Sequence, residues 1–197
     1  MIYTIVGLGN PGREYENTRH NVGVMALTSI FKAFEAKEWN EEKKKSAKTA
    51  VASIGKGKAV LVEPLVFMNS SGKAVLPFIK TAKDRERLVL IHDDLDLPLG
   101  KVKLSYGRSS GGHKGVDSVM RMLKSKNFLR VRIGVSSATY GGKLKKPTGE
   151  KDVIDFILGK FKPSELETLK KEFKKIAEAV QVFVDSGREK MVSTFRG

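Results

Sequence analysis

The chain has 197 residues, of which 40% are hydrophobic and 30% charged, and this composition is typical of one globular domain with a sizeable core. Cysteine is absent, which excludes a disulfide framework, a thiolate nucleophile and a zinc–thiolate site, and is consistent with a reducing cytosol. The formal net charge of +15 favours a polyanionic partner, because lysine and arginine that bind phosphates release counterions. A solubilising surface excess of charge is the alternative explanation.

No apolar run approaches the ~18 residues that a membrane-spanning helix needs. The first apolar run is short and has no basic leader in front of it. We therefore expect a cytoplasmic protein in which residues 1–197 form a single domain.

The first strand predicted from the sequence covers residues 2–6, which are β-branched and aromatic. The glycines Gly7, Gly9 and Gly12 that follow match the G-x-G-x-x-G pattern of dinucleotide-binding proteins. That pattern requires a helix directly after the glycines and an acidic residue about 20 positions later at the end of a second strand. Pro11 and the polar residues after it satisfy neither condition, so we reject a nicotinamide or flavin site. We expect the glycines to form a sharp turn from which Asn10 projects.

The rest of the chain alternates between helical and strand patterns. Apolar residues spaced three and four apart predict helices over residues 27–34 and 166–183, the second starting near Pro163 with Ser164 and Glu167 as a capping box. The predicted strands cover residues 49–54, 59–62, 88–91, 101–106 and 131–135. Reversals of chain direction, predicted as hairpins near residues 55 and 98, indicate an α/β fold with a twisted mixed sheet flanked by helices. Residues 141–151, which are basic and contain glycines, are predicted to be a mobile loop.

A water-activating histidine is the reaction mechanism that the sequence favours. The chain has three histidines and no G-x-S-x-G nucleophile motif. His20 lies at the end of the Asn10 loop, where an imidazole can act as a general base near neutral pH. Asp93 follows the buried strand 88–91, and side chains at the carboxyl ends of such strands line the ligand crevice. We expect Asp93 to accept the Nδ1 proton of His20 and thereby fix its tautomer.

The residue types allow two other sites. His92, Asp94 and Asp96 alternate along an extended segment and could hold Mg²⁺ for phosphoryl transfer. Turn capping by Asp94 or Asp96 explains these carboxylates more simply. The glycine-rich segment 107–115 precedes a predicted helix and is a natural anion site.

Five segments together make the chain resemble bacterial-type peptidyl-tRNA hydrolase. They are Gly7-Leu8-Gly9-Asn10-Pro11-Gly12, Tyr15 with Asn17-Thr18-Arg19-His20-Asn21-Val22-Gly23, Phe67-Met68-Asn69-Ser70-Ser71-Gly72, His92-Asp93-Asp94-Leu95-Asp96-Leu97-Pro98-Leu99-Gly100 and Gly111-Gly112-His113. The resemblance implies one α/β domain, a monomer without cofactor or metal. Its expected activity is cleavage of the ester that joins a peptide to the 3′ ribose of tRNA, which recycles tRNA from stalled translation.

The resemblance also implies roles for individual residues. His20 would be the catalytic base and Asp93 its partner. Asn10 and Asn69 would bind the peptidyl backbone and the ester, one of them helping to hold the developing oxyanion. The remaining substrate-binding positions would be Met68, which lines the peptide groove, with Tyr15, His113 and position 114, and the tRNA phosphates would meet Lys103 and Arg132.

Two positions depart from the family pattern. Lys114 stands where the family usually has the asparagine that positions substrate and water, and Ser105 stands at a second basic position. Lys114 could place a cation near the ester oxygen or a nucleotide phosphate, but it cannot accept a hydrogen bond. A non-catalytic RNA-binding module is the main competing class. The joint presence of Asn10, His20, Asn69 and Asp93 favours the enzyme.

Overall fold

The computed structural model describes residues 1–138 and 143–196 and contains one mixed β-sheet. The strands are β1 Ile2–Gly7, β2 Asn40–Glu42, β3 Ala47–Ile54, β4 Gly57–Pro64, β5 Leu88–Pro98, β6 Val102–Tyr106, β7 Leu129–Ala138 and β8 Leu144–Lys145. Their order across the sheet is β2-β3-β4-β1-β5-β7-β6, and β8 pairs with β7. Strand β1 is parallel to β4 and β5, and β5 is parallel to β7, whereas β2–β3, β3–β4, β6–β7 and β7–β8 are antiparallel pairs.

Helices cover both faces of this sheet, so the predicted α/β class is confirmed. The helices are α1 Val22–Ala33, α2 Ser71–Val75, α3 Ala82–Glu86, α4 Lys114–Leu123, α5 Glu150–Leu158 and α6 Pro163–Thr194. Alternate residues of β5 enter separate cores: Val89 and Ile91 join the core that contains α1 and α6, while Leu88 and Leu90 join the core that contains α2 and α4. This two-sided burial explains why the strand reads as a continuous apolar run. Among the described residues, no helix is long and apolar enough to cross a membrane.

The four parallel strands bring their carboxyl ends to one edge of the sheet. Strand β1 ends at Gly7, which lies beside Ile91 of β5. Strand β5 does not end at residue 91 as predicted but continues to Pro98, with an irregularity between Asp94 and Pro98 after which pairing with β7 resumes. Asp93 therefore lies beyond the end of the neighbouring β1.

Only one of the two predicted hairpins is present. Strands β3 and β4 pair antiparallel on either side of the turn at Gly55 and Lys56. The reversal near residue 98 is not a hairpin, because β7 lies between β5 and β6. The connecting segment bonds to β7 instead: Leu99 N donates to Ser136 O at 2.7 Å, and Gly134 N donates to Lys101 O at 2.8 Å.

Two local predictions in the last third of the chain need correction. Helix α6 is capped by Glu165 rather than through Ser164 and Glu167, because the helix begins at Pro163 and the Glu165 carboxylate accepts from Lys162 N at 2.7 Å. Of the predicted loop 141–151, residues 141 and 142 lie outside the described residues. Within the rest, β8 forms and α5 already starts at Glu150, and the mobility of the segment stays a prediction.

Candidate active site

The glycine loop after β1 serves close packing more than turning. A Cβ added at Gly7 would collide with the carbonyl oxygen of Gly23 in α1. Of Gly7, Gly9 and Gly12, only Gly12 has a positive φ, at 114°. The predicted reason for the glycines was therefore wrong for Gly7 and Gly9, which instead let α1 approach the strand ends. As expected from the failed dinucleotide pattern, only a three-residue 3-10 helix, Arg13–Tyr15, follows the glycines directly, and the first α-helix begins at Val22.

Hydrogen bonds hold Asn10 at three of its own atoms, two in the backbone and one in the side chain. Its backbone N donates to Asn21 Oδ1 at 2.8 Å, and its carbonyl accepts from Asn21 Nδ2 at 2.9 Å. Its side-chain Oδ1 accepts from Met68 N at 2.8 Å. The amide acceptor is thus occupied by protein, and the Nδ2 donor remains for a ligand.

His20 and His113 share one oxygen of Asp93. His20 Nδ1 lies 2.9 Å and His113 Nε2 lies 2.8 Å from Asp93 Oδ1, and the three side chains are 9%, 8% and 4% exposed, respectively. His113 Nδ1 also accepts from the backbone N of Gly115 at 3.1 Å and of Val116 at 3.3 Å, which caps α4. His113 must therefore carry its proton on Nε2 and donate it to Asp93. The expected contact between His20 and Asp93 is present, and the shared oxygen was not foreseen.

The neighbouring charges and hydrogen bonds keep Asp93 ionised and make the His20 imidazole more basic. Burial by itself lowers the pKa of His20, but the charge and hydrogen bond of Asp93 outweigh burial and raise it, while Lys114 lowers it again. Burial raises the pKa of Asp93, yet His20 and His113 together bring it well below its usual range. Asp93 is therefore ionised at neutral pH, and His20 binds a proton more readily than an unperturbed histidine does.

These side chains lie in a cavity of about 990 Å³. The segment after β4 contributes Phe67, Met68 and Asn69 to its lining. An apolar wall comes from α5, with Val153, Ile154, Ile157 and Leu158. The cationic side chains of the lining are Arg108, Lys114, Arg130, Arg132 and Lys146. The cavity thus combines an apolar side, a basic side and the His20–Asp93 pair.

Eight of the ten residues to which the resemblance assigns roles line this cavity, namely Asn10, His20, Met68, Asn69, Asp93, His113, Lys114 and Arg132. Tyr15 touches it indirectly, since its ring meets Phe67 edge-on at 6.2 Å. Lys103 is exposed outside the lining, on β6 directly opposite Arg132. Arg132 itself is partly engaged, because its Nε donates to Asp94 Oδ2 at 2.6 Å and its Nη1 to Ser105 Oγ at 3.3 Å.

The alternative metal site at His92, Asp94 and Asp96 does not match the observed contacts. Asp94 Oδ1 accepts from Asp96 N at 2.8 Å, which is the turn-capping interaction expected from the sequence, and Asp96 pairs with Lys146. The donor atoms of His20, Asp93 and His113 do lie within 4.8 Å of one another. Hydrogen bonds account for that spacing, because each imidazole N–H donates to the same carboxylate oxygen.

Several residues of the site were not identified from the sequence. Asn21 holds the backbone of Asn10, and Phe67 forms part of the rim with 58% of its surface exposed. Arg130 is a buried cavity residue whose Nη2 donates to the carbonyls of Arg108 and Ser109, so it anchors the glycine-rich loop. Helix α5 could have been predicted from the sequence, because its apolar lining residues form two adjacent pairs four positions apart, which places them on one helix face.

Comparison with known proteins agrees with this geometry. The family model described as Peptidyl-tRNA hydrolase matches residues 4–197. A peptidyl-tRNA hydrolase from Thermoanaerobacter sp. (strain X514) is 40% identical, with all of both chains covered, and one from Aquifex aeolicus is 37% identical over 95% of this chain and 93% of the relative. The crystal structure of peptidyl-tRNA hydrolase from Acinetobacter baumannii superposes with a TM-score of 0.85 at 27% identity, covering 98% of this chain and 93% of that one. With its full-length match and this fold, the chain belongs to the peptidyl-tRNA hydrolase family.

Proposed function

We propose that the chain hydrolyses the ester between a peptide and the 3′ ribose of tRNA by means of a water molecule that His20 activates. The observation that supports this mechanism best is the 2.9 Å contact between His20 Nδ1 and Asp93 Oδ1 inside the cavity. Because Nδ1 donates to the carboxylate, Nε2 is left unprotonated and can accept a proton from water. The general base and its orienting carboxylate are thus in place before the substrate binds.

The reaction follows from this arrangement in two steps. His20 Nε2 takes a proton from water while the water oxygen attacks the ester carbonyl carbon, and the carbonyl electrons move to oxygen. The Nδ2 group of Asn10 donates to this oxyanion, which lies in a buried site where such donors are most effective. The intermediate then expels the 3′ oxygen of the ribose, which receives the proton from His20. The products are tRNA with a free 3′ hydroxyl and a peptide carboxylic acid that ionises in water.

The two sides of the cavity suit the two parts of this substrate. The peptide lies against Met68, Phe67 and the apolar wall of α5, with Asn69 near its backbone. The tRNA lies toward Arg132 and Lys103, in keeping with the net charge of +15.

If Arg132 contacts a phosphate, Arg132→Gln should make the plot of log affinity for tRNA against log salt concentration less steep, by the amount expected for about one phosphate contact. If the slope of that plot were unchanged, Arg132 would not contact a tRNA phosphate.

We also propose that residues 1–197 act as one monomeric domain in the cytoplasm, where charged tRNA is found.

The decisive experiment measures release of free tRNA from an N-acyl-aminoacyl-tRNA by the wild type and by His20→Ala. We expect the wild type to release tRNA and the variant to lose on the order of 10³-fold or more in kcat. Circular dichroism and thermal melting would show that the variant is folded. Equal rates would overturn the assignment of His20, and no release by either protein, with tRNA still bound, would favour the non-catalytic RNA-binding module.

A further inference from the structure

Helix α5 forms the apolar wall of the cavity, and its two ends are held by different kinds of contact. None of its nine residues is fully buried. At its N-terminal end, Glu150 pairs with Lys114 at 3.4 Å, and these side chains are 81% and 63% exposed. Just before the helix, Lys146 pairs with Asp96, again at the surface. Exposed ion pairs are weak, so this end of α5 is held loosely.

The other end of α5 is held by Arg19, the residue next to His20. The Arg19 Nη1 donates to the carbonyls of Gly159 at 3.3 Å and Lys160 at 2.9 Å, directly after the helix. Its Nη2 lies 3.0 Å from both carboxylate oxygens of Glu165, at the start of α6. These side chains are only 11% and 16% exposed, which makes the pair much less screened than those at the N-terminal end.

The flat faces of the guanidinium are used as well. The Arg19 Cζ lies 4.7 Å from the ring centre of Phe156 in α5 and 5.1 Å from that of Phe161. Aromatic stacking of this kind is available to the planar guanidinium and to a much smaller extent to a lysine ammonium. Arg19 therefore grips α5 through a side chain of the helix and through the carbonyls that follow it.

The main chain completes the connection to the catalytic residue. Arg19 N donates to Gly159 O at 3.0 Å, and Phe161 N donates to Asn17 O at 2.9 Å. The segment before His20 is thus paired with the segment after α5. His20 itself is positioned separately, through Asp93.

We infer that Arg19 is a positioning residue that fixes the α5 wall relative to His20 and thereby sets the affinity for apolar peptide side chains. This inference rests on the proposed hydrolysis of peptidyl-tRNA. Loss of the Arg19 contacts lets the wall move away from the cavity, which weakens contacts to bulky apolar side chains. The chemical step is preserved, because the hydrogen bond from His20 to Asp93 does not involve Arg19.

The test compares Arg19→Met and Arg19→Lys with Arg13→Met, which removes the same charge from an exposed position in the same loop. Two substrates on the same tRNA, one carrying N-acetyl-dileucyl and the other N-acetyl-diglycyl, separate side-chain contacts from tRNA contacts. We expect Arg19→Met to raise KM about 3- to 10-fold for the dileucyl substrate alone, with kcat within about twofold. Arg19→Lys should show a smaller rise, and Arg13→Met should change both substrates equally.

Dissociation constants of amide-linked, non-cleavable analogues of both substrates give the same comparison without turnover. An equal loss of affinity for both analogues, as in Arg13→Met, would overturn the inference, and so would a fall in kcat with KM unchanged. If Arg19→Met does not fold, Arg19→Lys still decides the matter, because it retains the charge and most of the side-chain volume. Absence of hydrolysis by the wild type would instead overturn the proposed function, while the analogue affinities would still decide the role of Arg19.

Discussion

The buried floor of the cavity, formed by His20, Asp93 and His113, and its exposed rim, which includes Lys114 and Glu150, are built from different kinds of contact. The side chains of the floor are less than a tenth exposed and are joined by hydrogen bonds of 2.8–2.9 Å. On the rim, Lys114 and Glu150 are more than half exposed and 3.4 Å apart. Buried charge-assisted hydrogen bonds keep a fixed geometry, whereas an exposed ion pair is weak and screened by salt. Changes on the floor should therefore affect the chemical step strongly, and changes on the rim should affect binding slightly.

The largest effect is expected for Asp93→Asn. An amide oxygen can still accept from His20, but it no longer stabilises the imidazolium that forms during the reaction. Burial would then dominate and lower the pKa of His20. We expect kcat to fall about 10³- to 10⁴-fold, as in other triads, with little change in KM. A loss of less than about tenfold in a folded variant would show that the His20–Asp93 pair is not the catalytic unit.

Asn10→Asp is the next most severe change. An aspartate oxygen can still accept from Met68 N, so the loop is preserved, but the Nδ2 donor to the oxyanion is replaced by a negative charge. We expect kcat to fall about 10²- to 10³-fold while KM changes little. Steady-state kinetics with the same acyl-tRNA measure this. Retention of kcat within about threefold would show that Asn10 does not donate to the oxyanion.

Lys114 lies on the rim, but its charge acts on His20 on the floor, so the clearest signature of Lys114→Asn is the pH profile. Asp93 raises the pKa of His20 above its ordinary value of 6.5, and His20 must be neutral to act as a base. In the wild type, kcat/KM should therefore fall as the pH drops through a midpoint above 6.5. Lys114 opposes this shift, so Lys114→Asn should move the midpoint upward and reduce activity on its acidic side.

Lys124→Asn, at the other end of the same helix, is the matched control for the loss of one positive charge. Activity of Lys114→Asn is expected to persist with a changed Michaelis constant, because the substitution leaves the contact between His20 and Asp93 in place. If the turnover rate, the Michaelis constant and the midpoint all stayed at their wild-type values, a role for position 114 would be untenable.

Glu150→Gln should have the smallest effect. It removes the exposed partner of Lys114, and KM should change by less than about threefold at low salt and not at all near 1 M salt. Glu167→Gln, which breaks the exposed Glu167–Lys170 pair on α6, is the control. A change in KM of about tenfold or more that did not depend on salt would contradict the expectation that changes on the rim affect binding only slightly.

The sequence predicts the floor better than the rim for a physical reason. Asn10, His20 and Asp93 lie in local motifs at the ends of apolar strands, and parallel strands must bring those ends together. The position of β6 beyond β7 depends on strand pairing between distant segments, which no local pattern reveals. The wall of α5 depends on Arg19, whose partners lie about 140 positions away in the chain. The sharing of Asp93 Oδ1 by two histidines likewise arises only when three separate segments meet.

His113 connects the start of α4 to the buried carboxylate of Asp93. Its Nδ1 accepts from the backbone N–H groups of Gly115 and Val116 in the first turn of α4, and its Nε2 lies 2.8 Å from Asp93 Oδ1. Asp93 is the ionised member of this buried group. In the proposed mechanism, the water proton moves to His20, beside this carboxylate, while the new negative charge appears on the substrate next to Asn10. In that mechanism, the carboxylate that offsets the charge of protonated His20 is already buried and hydrogen-bonded in the folded protein, so its desolvation takes place during folding and not during catalysis.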